Sequence, residues 1–362
     1  MRTKLLAVTA LLGLMAALLF PAVGRSGAPT RVLPPPGARD SISAYASRLR
    51  VGPAQRSGDL VVFPVFASGV TIPDVDLTLE KAMSLGVLEI SELASAEVNR
   101  VRVHNRAKQP VYIMAGEMLR GAKQDRIVGD DLILPPGEGL PVPVFCVEHG
   151  RWVSKTESFK SGRAMAGAGI RQRAPAGQAA VWQEVAGEQA RLNAPSTTGA
   201  LGSIHDSAEV QRKMKPYARD LSDLPDDFPK ACGVVAAVRG DIIAADLFSS
   251  PALFRQLWPK LLDSYVIDAL DRPERGRVPD ESFVQRWLDG LRRAERVSKD
   301  TPGSGSLYEL RGAGLLGSAL VWDQGVVHIA AFRALSIPEP QFDSLRFRRE
   351  RLEQQAEPQP AR

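Results

Sequence analysis

From Val98 to Glu148 apolar side chains recur at every second position, in short runs interrupted by glycine, proline or aspartate. Val101 and Val103 alternate with Arg100, Arg102 and His104. Successive side chains of a strand point to opposite faces, so this alternation is the pattern of a half-buried antiparallel strand. VYIMAG, QDRIV, DLIL and PVPVFCVE follow as further short strands separated by turn residues. DLVVFPVF at 59–66 reads as another, with Pro64 at an edge or a bulge. Residues 59–148 are therefore expected to form a β-rich part, a small barrel or sandwich with at most two helices.

The flanking segments carry a different period. A helix is expected after Asp40 or Ser41, with Ile42, Tyr45 and Leu49 on one face and Gly52 at its end. A second fits Thr78 to Leu85, closed by Gly86. Residues 151–177 set Arg151, Lys155, Lys160, Arg163, Arg171 and Arg173 against the single acid Glu157, and read as a mobile basic loop. A helix bearing Val181, Val185 and Leu192 comes next, and a short one from Asp206 should stop at Pro216. Between 233 and 335 GVVAAV and DIIAADLF form a hairpin through Arg239-Gly240. Ser250 then caps a helix with Pro251 at its first position and a kink at Pro259. A further amphipathic helix spans Phe283 to Leu291, and a last hairpin turns at Asp323-Gln324-Gly325.

The fold class implied is α+β: an antiparallel β-rich body with packed amphipathic helices. No Pro/Ser-rich linker separates the two β parts, so residues 40–340 are expected to form one interlocked body. The tail at 341–362 is polar and expected to be partly disordered.

The N-terminus points to export. Arg2 and Lys4 precede an uncharged apolar run from Leu5 to Phe20, and Ala22-Val23-Gly24 offers the small residues of a cleavage site. Residues 1–24 thus read as a signal peptide, followed by a Pro-rich linker at 25–39. Left uncleaved, the same run would serve as an anchor, although it is shorter than the roughly 20 residues that span hydrocarbon. No later stretch is long and apolar enough to span. The chain holds 46 basic and 41 acidic residues, interspersed and without a basic stripe bearing aromatics, which argues against a nucleic-acid partner. The partner expected is an anionic small molecule or a protein of the envelope. Cys146 and Cys232 would pair in an oxidising compartment or stand as two buried thiols, and the sequence leaves both open.

Familiar chemical motifs fail on context. Gly312-Ala313-Gly314-Leu315-Leu316-Gly317 matches a dinucleotide fingerprint, but a strand follows it instead of the helix whose amides would hold pyrophosphate. It is read as a bend between strands. Ser203, His205 and Asp206 are sequence neighbours, whereas hydrolytic triads are assembled from distant segments, and Asp206 suits a helix cap. On a strand Cys146 and Glu148 face one side and His149 the other, so no metal centre is expected there. Nor is a cofactor.

The segment Gly116–Arg126 stands apart. Glu117, Arg120, Lys123, Gln124, Asp125 and Arg126 crowd between apolar strands, and Gly116 and Gly121 allow sharp turns. Such a polar rim offers a carboxylate for proton transfer and a guanidinium for an anion. Glu148, His149 and Arg151, at the end of a later strand, are expected to close over it.

The stretch NRAKQPVYIMAGEMLRGAKQDR followed by PVPVFCVEHGRW resembles a domain family known by its association with ADP-ribosylglycohydrolases and rhodanese/phosphatase-superfamily proteins. QAAVWQEV and DLFSSPALF are similar too, extending the likeness over about residues 55–275. The resemblance assigns no catalytic residues; it implies only phosphate or nucleotide-sugar chemistry in the neighbourhood. Two functions are therefore expected. The first is a non-catalytic domain that binds an anionic ligand or partner. The alternative is a hydrolase of a phosphate- or nucleotide-sugar-like substrate, with Glu117 or Glu148 as general base. A third reading, a structural envelope protein, would expose an apolar patch around Trp258 or Trp287.

Overall fold

The computed structural model describes residues 38–334, apart from 94–96, 138, 152 and 272–277. The leader, the linker up to residue 37 and the tail lie outside the described residues.

The Arg239-Gly240 turn organises the larger sheet. Both residues have positive φ, 53° and 102°, the conformation that lets a two-residue turn follow the twist of its strands. It joins Ala231–Val238 to Asp241–Phe248 in the middle of a nine-stranded antiparallel sheet. Leu60–Ala67 and Leu49–Val51 extend the sheet on one side, with Gln55–Ser57 also beside Leu60–Ala67. Gly325–Arg333, Leu315–Trp322, Ser306–Gly312 and Glu295–Lys299 extend it on the other. All eight residues of Ala231–Val238 are buried, because both faces of the sheet are covered. Helix Pro251–Asp271 packs on one face; Ala38–Ser47 and Glu281–Leu288 cover the other.

The second β system is a small barrel. Strands Phe159–Met165, Glu117–Gly121, Arg126–Val128, Gly139–Cys146, Arg100–Asn105 and Leu88–Glu92 pair in that order. A bridge between Ser91 and Ser158 then joins the two outer strands, so the sheet curls round on itself. Ile90, Val101, Val103, Leu119, Val128, Val142, Val144 and Phe159 fill the apolar core it encloses. A short sheet of Leu132–Leu134, Val111–Ile113 and Leu77–Thr78 adjoins this core, its last pair parallel.

The α+β reading holds, and so do the Arg239-Gly240 hairpin and the Ser250 cap, whose Oγ accepts from Leu253 N at 3.2 Å. The last hairpin forms with Asp323 and Gln324 alone as its turn, since Gly325 pairs with Trp322. Gly312–Gly314 is the bend between Ser306–Gly312 and Leu315–Trp322. Cys146 and Cys232 are buried free thiols.

Other expectations are corrected. Leu60–Ala67 belongs to the large sheet, not with the barrel strands, because its apolar residues pair with Ala231–Val238. Pro64 is inside that strand, opposite the gap between Leu49–Val51 and Gln55–Ser57, where no ladder hydrogen is required of it. Leu49 starts a strand, since the first helix ends at Ser47. Residues 151–177 are not a loop throughout: they hold strand Phe159–Met165 and helix Ala168–Arg173. Arg163 and Arg171 pair with Glu80 and Asp246, far away in sequence, which local composition does not reveal. Pro216 lies within helix Ala208–Leu221, where burial of Val210, Met214 and Leu221 outweighs the lost hydrogen bond. Ser207, not Asp206, caps that helix. Trp258 and Trp287 are buried, so neither marks an exposed apolar patch.

Candidate functional site

Residues 117–128 form a β-hairpin, not a surface turn: Met118 pairs with Ile127 and Leu119 with Arg126. Gly121 and Ala122 adopt positive φ, 121° and 43°, to reverse the chain. Because side chains alternate across the strands, the hairpin divides the expected polar rim among separate clusters.

Glu117 is buried and joined to Lys260 of the long helix, while its other oxygen accepts from Met114 N at 2.9 Å. Lys260 also reaches Glu80, at 3.3 Å. Burial would lower the Lys260 pKa, but these two carboxylates raise it, so the amine is held charged. Arg120 points elsewhere. Its Nη1 lies 3.0 Å from both Asp206 oxygens and its Nη2 donates to the Gly202 carbonyl at 3.0 Å. Asp206 is two-thirds exposed, so Arg120→Ala should cost at most about 1 kcal/mol, as measured by urea unfolding.

Glu148, Asp125 and Arg151 do converge. Arg151 Nη2 lies 2.5 Å from Glu148 Oε2 and 3.1 Å from Asp125 Oδ1. Thr198 donates to Glu148 Oε1 at 2.9 Å, and the Asp125 amide to Oε2 at 3.2 Å. Burial alone would raise the Glu148 pKa, yet these donors hold it below the usual carboxylate value. Asp125 goes the other way: burial raises its pKa against the pull of the Gly121 amide and Arg151. Arg151 further donates to the carbonyls of Ala122 and Val153, at 2.7 and 3.0 Å, and so pins the hairpin turn. His149, placed by the sequence beside these groups, is exposed instead and packs edge-on against Trp182 with ring centres 4.4 Å apart.

Arg126 is the anomaly. Its side chain is 1% exposed and stands at one end of the barrel core, across from Cys146 in the neighbouring strand. Nη1 donates to Gln124 Oε1 at 2.8 Å, and Gln124 in turn donates to the Glu148 carbonyl at 3.0 Å. Among the described residues, Nε and Nη2 have no hydrogen-bond partner. These two nitrogens form one edge of the guanidinium plane, the fork that takes two oxygens of a carboxylate or phosphate side by side. The Lys123 amide next to this hairpin turn donates to Glu92 Oε1 at 3.3 Å.

A second polar centre escaped the sequence reading altogether. Asp246 and His328 sit on adjacent strands of the large sheet, fully buried. Arg171 grips Asp246 through both terminal nitrogens, at 2.9 and 2.7 Å, and Tyr265 donates to the same carboxylate. His328 bridges Asp246, at 3.1 Å from Nε2, and Asp131, at 2.6 Å from Nδ1. The sequence signal was one Asp and one His in the apolar interior of two strands.

A curled antiparallel barrel together with a large antiparallel sheet and its covering helices defines an α+β domain. Residues 48–332 match the model of the ARG and Rhodanese-Phosphatase-superfamily-associated Protein domain, ARPP-1, and the chain belongs to that family. The match covers the barrel and the sheet together and extends the likeness of residues 55–275 in both directions. No curated protein and no solved structure matches the chain. No helix among the described residues is long and apolar enough to cross a membrane.

Proposed function

We propose that this chain is an exported binding domain that holds an anionic group at the end of its barrel, and that it is not a catalyst. The observation that carries this reading is the buried Arg126 guanidinium with a whole edge unengaged. Buried donors are almost always paired, and leaving one unpaired costs about 1–3 kcal/mol. An anion of two or three oxygens would satisfy both donors at once. Gln124, Lys123 and the Glu148–Arg151–Asp125 cluster position the hairpin that presents it. The hydrolase alternative has less support. Glu117 is neutralised by Lys260, and Glu148 holds its proton more weakly than a free carboxylate, so it makes a poor general base.

Arg126→Met tests the reading. Met fills the same space without a charge, so the variant is expected to be as stable as the parent or more stable. It should nevertheless lose binding. In the parent, inorganic phosphate at 100 times its dissociation constant adds about 2.7 kcal/mol of stability, visible as a rise in melting temperature. That rise should vanish in Arg126→Met and shrink in Arg126→Lys, which keeps the charge but not the fork. An equal rise in all three proteins sinks the proposal.

A further inference from the structure

Among the described residues, the open edge of Arg126 has one carboxylate within 4.0 Å. Glu92 ends the Leu88–Glu92 strand, and its Oε1 lies 4.0 Å from Arg126 Nη2, beyond hydrogen-bond reach. The same oxygen accepts only a long bond, 3.3 Å, from the Lys123 amide. The Glu92 side chain is 22% exposed against 1% for Arg126, so the carboxylate is the more solvent-accessible of the two. We infer that Glu92 is an internal competitor for the Arg126 edge and thereby selects doubly charged phosphoryl groups over single carboxylates. The inference rests on the anion-binding reading above and adds the class of ligand.

The argument is one of competition. A carboxylate tethered by a few bonds presents itself at an effective concentration in the millimolar range or higher. A free carboxylate has the same charge and the same two oxygens, so it gains nothing by displacing Glu92. A phosphate monoester loses its second proton near pH 6 and carries close to two charges and three strong acceptors at neutral pH. Two of its oxygens can take the Arg126 fork, and the third can accept from the Lys123 amide that Glu92 releases. Displacing Glu92 moves a side chain at a partly exposed position. The 4.0 Å separation fits this role: it is close enough to neutralise the cation and too far to satisfy its donors.

The test titrates the full chain calorimetrically at pH 8 with inorganic phosphate and, separately, with acetate. Parent, Glu92→Gln, Glu92→Ser and Arg126→Met are compared, each checked for folding by circular dichroism; the two Glu92 variants guard against a folding defect in either. The parent should bind phosphate and ignore acetate. Both Glu92 variants should bind phosphate at least tenfold more tightly and gain acetate binding, while Arg126→Met binds neither. If phosphate binding depends on Arg126 but is unchanged or weakened without Glu92, the competitor role is overturned and the anion site stands. If phosphate binds none of the four proteins, or binds Arg126→Met as well as the parent, both readings fall.

Discussion

Replacing Asp246 with alanine is expected to lower the unfolding free energy by about 3–5 kcal/mol, measured by urea denaturation. The carboxylate accepts from four donors: two nitrogens of Arg171, Nε2 of His328 and the Tyr265 hydroxyl. Without it, Arg171 and His328 remain buried, and among the described residues Asp131 stays hydrogen-bonded to His328. An uncompensated buried cation is among the most damaging defects a fold can carry. The loss should therefore be far larger than for the exposed Arg120–Asp206 pair. Adding Arg171→Met to Asp246→Ala should restore part of the stability, because the second change removes the orphaned charge. If the double variant is less stable than Asp246→Ala by the full cost of Arg171→Met alone, the two residues act independently and the argument fails. Asp246→Asn, which keeps the shape, provides a milder step should the alanine variant not accumulate.

This contrast explains what the sequence could and could not disclose. Hairpins turning at Arg239-Gly240 and Asp323-Gln324 were legible because turn chemistry is local: two residues dictate the backbone there. The Ser250-Pro251 start of the long helix was legible for the same reason. The strand Glu117–Gly121 was not, since its charged residues and glycines read as a polar rim at sharp turns. Their partners come from 143 residues away for Glu117 and 86 for Arg120, and only the fold brings them together. Arg171 misled in the same way. Counted among basic neighbours it suggested a loop, yet Asp246, 75 residues on, makes it a buried clamp. Within the candidate site, polar density alone drew attention to the hairpin segment. Which of its side chains faced which cluster depended on strand alternation, and that required knowing it was a strand. Arg126 shows the limit most clearly: nothing local distinguishes it from Arg120, and only barrel closure buries it.

The buried histidine makes stability depend on pH in a defined window. Burial would lower the His328 pKa, but Asp131 and Asp246 beside it push it up to about 9, against an ordinary value of 6.5. Tyr112, Tyr265 and Arg171 complete the ionisable surroundings. A base that binds its proton more tightly when folded stabilises the fold wherever it is charged in the folded state. The contribution is full below pH 6.5 and fades as pH rises through about 9. Its size follows from the separation of the two values and is roughly 3 kcal/mol. Asp246 contributes with the opposite dependence. Arg171 and His328 hold its carboxyl far below the usual range despite burial, so its share is lost only as pH falls below about 4. His205, driven down to about 4 by burial and by Arg120, weakens the fold only below 6.5, where the unfolded chain takes up its proton. Cys232, raised to about 11 by burial, acts mainly above pH 9. The interval from 6.5 to 9 thus belongs to His328. Urea midpoints should fall steadily across it in the parent and stay nearly level in His328→Gln, which starts from a lower value at pH 6.5. A parent profile as flat as that of the variant would mean that His328 is neutral in the folded protein, and the bridge between Asp131 and Asp246 would then be a hydrogen-bond relay without charge.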